Sequence, residues 1–155
     1  MKKILSNIEE IISGFFLVIT ISSVILNVFF RAVGLGTISS SEEIATLSFV
    51  WAVYMGGVAC YKRKMHIGVD MIVQLLPEKS RKIFALLIDI FLIILNAVIL
   101  YLVVIFISNS FDKPTPVLGI SSNYVNIVLF ISFLLMEIHS IVFFYKNIKT
   151  IRKEA

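Results

Sequence analysis

Charge is what this chain has least of. Only 15% of its 155 residues are Asp, Glu, Lys or Arg, while 59% are hydrophobic. A soluble domain carries roughly a quarter charged and about half apolar residues, so a water-soluble globule is excluded. The mean hydropathy of +0.99 points to an integral membrane protein. Cysteine is nearly absent: Cys60 stands alone, which excludes an intrachain disulfide. Glycine (seven) and proline (three) are sparse, with no low-complexity linker and no usable internal repeat. His66 has no second His or Cys at ligand spacing, so no metal site is expected. There is no P-loop, no nucleophile elbow and no paired catalytic constellation in solvent. No enzyme and no bound cofactor are expected. The net charge of +4 does not imply nucleic acid, because the basic residues flank apolar runs and form no soluble patch.

What is present is four long apolar runs, at residues 11–30, 44–61, 83–108 and 124–145. The third is interrupted by Asp89, the fourth by Glu137 and His139. About 20 apolar residues cross a hydrocarbon core roughly 30 Å thick. None of the runs alternates as a barrel strand would, so the predicted fold is an all-α membrane protein of four transmembrane helices in a single domain, 1–155. The first run follows Lys2 and Lys3 but is too long for a signal-peptide core and lacks an A-x-A site, so a retained signal-anchor helix is expected. Twelve Lys and Arg residues fall in the N-terminal tail, the middle loop and the C-terminal tail; only Arg31 and Lys113 fall on the other side. The positive-inside rule then puts both termini in the cytoplasm.

Within the middle loop, residues 67–76 are mostly apolar, with Asp70, Gln74 and Glu78 recurring every fourth position. That stripe predicts a short interfacial helix. Pro77 and Glu78 suit a new helix start, so the third helix is expected to begin near Pro77 and reach the membrane near Ile83.

Ser39 with Glu42, and Ser40 with Glu43, have capping-box spacing ahead of the second run. They read as an outer helix cap or as a contact to another protein, with Arg31, Asp112 and Lys113 on the same side. Trp51 lies roughly 12 Å into its run, deeper than an interface belt, and Gly56-Gly57 permits close helix approach; packing against a partner helix is expected of all three. Lys62, Arg63, Lys64, His66, Asp70, Arg81 and Lys82 read as cytoplasmic interface anchors, with Lys62–Lys64 at the anionic leaflet and His66 and Asp70 starting the interfacial helix. Asp89 and Glu137 are the acids inside the runs, roughly 9 Å and roughly 12 Å from their cytoplasmic ends, and so at similar depth. They read as a proton or cation pair or as groups that snorkel or bond a neighbouring subunit.

The stretch from Ser39 to Asp70 resembles the signature region of the small permease subunit of TRAP transporters, the DctQ-like family. The matching features are Glu42 or Glu43 before the second helix, Trp51, Gly56 or Gly57, the basic Lys62–Lys64, His66-Ile67 and Asp70. "LPEKSRK" at 76–82 and "TPVLGI" at 115–120 are similar to segments before the family's third and fourth helices. Where the family often continues with Pro and Trp, this chain has Ser121-Ser122-Asn123-Tyr124.

The resemblance implies a scaffold in the bacterial inner membrane. It would support a large elevator-type subunit that holds the substrate and sodium sites. A periplasmic binding protein would deliver an organic acid of the C4-dicarboxylate, keto acid or sialic acid class. The chain also lacks the Gly/Pro-broken helices of a transporter binding site. A competing reading is a small four-helix multidrug exporter working as a homodimer; it would need an essential acid, for which only Asp89 or Glu137 is available.

Overall fold

The computed structural model describes residues 7–63, 78–109, 114–121 and 123–154, with side chains for all of these but 78–82 and 150–154. Four helices fill most of this: α1 (Ile8–Ala32), α2 (Ser39–Lys62), α3 (Glu78–Asn109) and α4 (Asn123–Glu154). All four are long and apolar enough to cross a membrane, and each contains one of the four predicted runs. Among the described residues there is no strand, only an isolated bridge between Pro114 and Ser121. The expected interfacial helix at 67–76 lies outside the described residues.

α1 ends on a tight turn in which Leu35 N–H donates to the Phe30 carbonyl at 3.0 Å. Gly34 turns there at φ +77°, a left-handed conformation that costs glycine nothing. That turn folds α2 back along α1. α2 starts earlier than its apolar run: its N-cap is Ile38, which makes no side-chain cap bond. Ser39 and Ser40 are therefore already inside the first turn, and the expected capping box does not form. The side chains around it are used on neighbouring elements instead.

The helices pack as a series of neighbours, α1–α2–α4–α3. α2 is the centre and carries most of the core: Ala45, Ala52, Met55, Val58, Ala59 and Tyr61 are all buried. One of its faces is lined with small residues, Ser41, Ala45, Ser48, Ala52, Gly56 and Ala59, so α1 can approach closely. A second face meets α4 through Tyr54–Phe133 ring contact and Gly57–Met136. α1 and α3 are the flanks. Their apolar side chains, such as Phe15, Val18 and Ile25 on α1 and Phe91, Ile94 and Leu102 on α3, stay exposed to the surroundings.

Register follows from the side-chain contacts. Tyr54, Gly57 and Tyr61 on α2 meet Phe133, Met136 and Ser140 on α4, a constant offset of parallel helices. Asp89 and Asn96 on α3 meet Asn147 and Ser140, as antiparallel helices do. α4 continues to Glu154, about 20 Å beyond the level of Tyr61. α3 and α4 therefore overhang the end of α2.

Candidate functional site

At the end of α2, Lys62 donates to Glu9 at 2.9 Å. Arg63 forms a two-pronged bond to Glu10 through Nε at 2.9 Å and Nη2 at 2.6 Å. Two of the basic residues expected at the lipid interface are thus tied to the first turn of α1. Glu9 and Glu10 were not singled out from the sequence. The available signal was two acids at the start of one helix facing two bases at the end of its antiparallel neighbour. Lys64, His66 and Asp70 lie outside the described residues. Arg81 and Lys82 lie in the opening turns of α3, and their side chains are outside the described set.

The opposite end is held by a second polar set. Asn27 donates to Glu42 at 2.9 Å and accepts from Ile38 N–H at 3.0 Å, so one side chain of α1 fixes the start of α2. The Ser41 hydroxyl donates to the Ser23 carbonyl at 2.7 Å. Glu43 reaches further: one carboxylate oxygen accepts the backbone N–H groups of Val117 and Leu118 at 3.0 and 2.9 Å. The held loop closes on itself through Thr115 N–H to the Ile120 carbonyl at 2.8 Å and Ile120 N–H to Thr115 Oγ1 at 3.0 Å. Glu42 and Glu43 thus act within the chain, one toward α1 and one toward the loop before α4. Arg31 sits in the last turn of α1; Asp112 and Lys113 lie outside the described residues.

Between the ends, Trp51 stacks on Phe16 of α1 with centroids 5.1 Å apart. Nearby, Ser13 donates to the Ala52 carbonyl at 2.8 Å. A Cβ added at Gly56 would come within 3.0 Å of Ser13 Oγ, and one at Gly57 within 3.3 Å of Met136 Cε. The close approach expected of these residues is present, but it joins helices of this chain. Trp51 also edges an open, mostly apolar cleft of about 470 Å³ with Phe16, Leu47, Ile120 and Tyr124.

A buried polar knot joins three helices. Asn96 of α3 donates to Tyr61 Oη at 3.2 Å and to Ser140 Oγ at 3.1 Å, and the Tyr61 and Ser140 hydroxyls share a hydrogen bond. Ser140 also donates to the Met136 carbonyl at 3.0 Å. All three residues are buried. Sequence reasoning passed over them; an Asn inside an apolar run was the one visible signal.

The two acids separate. Asp89 is buried and accepts from Asn147 Nδ2 at 2.6 Å, in the part of α3 and α4 that overhangs α2. The register puts Glu137 level with Ile99 of α3, about 15 Å further along. Relative to α2, Glu137 is level with Val58, one turn inside Lys62. The expectation of similar depth fails because each depth was counted from its own helix end, and the ends are staggered. His139 donates from Nδ1 to the Leu135 carbonyl at 2.7 Å, within its own helix. Among the described residues no three His, Cys, Asp or Glu side chains group as a metal site would need.

This arrangement of four apolar helices, internally fastened and open on its flanks, can be set beside known proteins. Residues 20–150 match the family model described as tripartite ATP-independent periplasmic transporters, DctQ component. The chain belongs to the DctQ family. It is 33% identical over 130 residues to a Haemophilus influenzae protein named as a TRAP transporter small permease protein, covering 84% of this chain and 79% of that one. It is 32% identical over 84 residues to the C4-dicarboxylate TRAP transporter small permease protein DctQ of Vibrio cholerae, covering 52% of this chain and 34% of that protein. The chain is thus a multi-pass membrane protein and a small permease subunit of a TRAP transporter, a family of transporters and not of enzymes.

Proposed function

We propose that this subunit is the fixed scaffold of its transporter, lying in the bacterial inner membrane with both termini cytoplasmic. A large elevator-type subunit would pack on its exposed apolar surface, which includes α4 as well as the flanks, and hold both substrate and sodium, and a periplasmic binding protein would deliver an organic acid. The observation that carries this reading is the contrast between the centre and the flanks. α2 is tied to α1, α4 and the loop before α4 by polar contacts, while α1 and α3 leave rows of large apolar side chains uncovered. A body so fastened suits a static support, and apolar flanks suit helix packing in a membrane. The substrate class draws on kinship alone: the Vibrio cholerae relative carries C4-dicarboxylate in its name, which makes a C4-dicarboxylate the first substrate to try.

The test is reconstitution. The chain, the large TRAP subunit of the same genome and the cognate binding protein are placed in proteoliposomes, and uptake of labelled dicarboxylate, keto acid or sialic acid is followed with and without a sodium gradient. Uptake requiring all three proteins supports the reading. Transport by this chain alone would remove it and revive the exporter alternative.

A further inference from the structure

The polar groups inside the spans are mostly satisfied within the chain. Asn96, Tyr61 and Ser140 bond one another, Ser13 bonds a backbone carbonyl, and Asp89 has Asn147. Glu137 differs. Its Oε2 is buried and meets no hydrogen-bond donor among the described residues. The Ser132 hydroxyl is also unmatched, but Ser132 is fully enclosed and nothing from outside can reach it. Glu137 is only part-buried: Oε2 is turned inward, but Oε1 is not enclosed, so a donor from outside can reach the carboxylate through Oε1. Around it on α4 stand Leu134, Ile138 and Ile141, all exposed and apolar.

We infer that Glu137 is a docking point for the large subunit, taking a hydrogen-bonded Lys or Arg side chain from one of its membrane helices. The inference rests on the scaffold reading above and names the chemistry of one contact within it. Lipid tails have no donors, and an acid left unmatched beside them is costly. The surrounding apolar residues give a partner helix a surface to lie on. A carboxylate in that surface selects a cation, because the pair is strong where water is excluded. It also sets register, since a helix shifted by one turn would leave both charges unmatched.

The chain is co-expressed with the large subunit of the same genome, solubilised in mild detergent, and the recovery of the 1:1 complex is measured for wild type, Glu137→Gln, Glu137→Leu and Glu137→Lys. Recovery should fall about tenfold or more for Glu137→Lys and Glu137→Leu, and less for Glu137→Gln. One Lys→Glu or Arg→Glu change in a large-subunit span should restore the Glu137→Lys complex. Wild-type complex with undiminished recovery of all three variants overturns the inference and leaves the scaffold reading standing. No complex even with wild type overturns the scaffold reading itself. If Glu137→Lys does not accumulate, Glu137→Cys is paired with single cysteines beside each intramembrane Lys or Arg of the large subunit. A disulfide at one position supports the contact, and none at any position overturns it.

Discussion

The two hairpins of this molecule are built differently. α1 and α2 are joined at both ends and in the middle. Two ion pairs hold one end, Asn27 and Ser41 hold the other, and Ser13 and the Phe16–Trp51 stack lie between. Small residues on α2 make this possible, because backbones that approach closely bring side chains within reach of opposing carbonyls. α3 and α4 are longer, at 32 residues each. Polar links between them include Asp89–Asn147 and Asn96–Ser140. Among the described residues, the first hairpin is fastened by polar contacts at both ends and in its middle, whereas the buried knot of Asn96, Tyr61 and Ser140 ties the second to α2.

The largest effect should come from breaking the close approach. Gly56→Leu forces Ser13 and α1 away, at a cost of about 1–3 kcal/mol, read as a lowered unfolding midpoint in a detergent titration. The next effect is expected at the knot. Asn96→Leu removes both donors to Tyr61 and Ser140 and should cost about 1–2 kcal/mol, with α3 becoming protease-sensitive before α1 and α2. If α1 and α2 loosened equally, the distinction between the hairpins would fail. Cutting the loop tether is smaller. Glu43→Gln should leave the unfolding midpoint nearly unchanged but speed amide exchange at Val117 and Leu118, whose N–H groups the carboxylate holds. The smallest effect is expected of Glu10→Gln. Its pair with Arg63 is exposed, such pairs contribute about 0–1 kcal/mol, and the difference should vanish at high salt.

The helices were legible because a membrane span is a one-dimensional signal: enough apolar residues in a row and no alternation. The family was legible from motif order between Ser39 and Asp70. Residue roles were less so. Gly56 and Gly57 were recognised as approach points, but nothing local says whose helix approaches. Glu42 and Glu43 had capping spacing, yet Asn27 and the loop at Val117 and Leu118 took them, because contacts 15 and 74 residues away in sequence competed with the cap. Asp89 and Glu137 looked level until the stagger of α3 and α4 against α2 was known.

Composition and run length by themselves determined that this chain lies in a membrane as helices, since a backbone in hydrocarbon has no other way to satisfy its own groups in a single chain of this pattern. Tertiary structure alone decided which helix is central, that Lys62 and Arg63 answer Glu9 and Glu10, that Tyr61, Asn96 and Ser140 meet, and that Glu137 stays without a donor among the described residues. The reason is physical. Hydropathy acts residue by residue, whereas register depends on how side chains from distant segments fit together, and that fit exists only once the helices have packed.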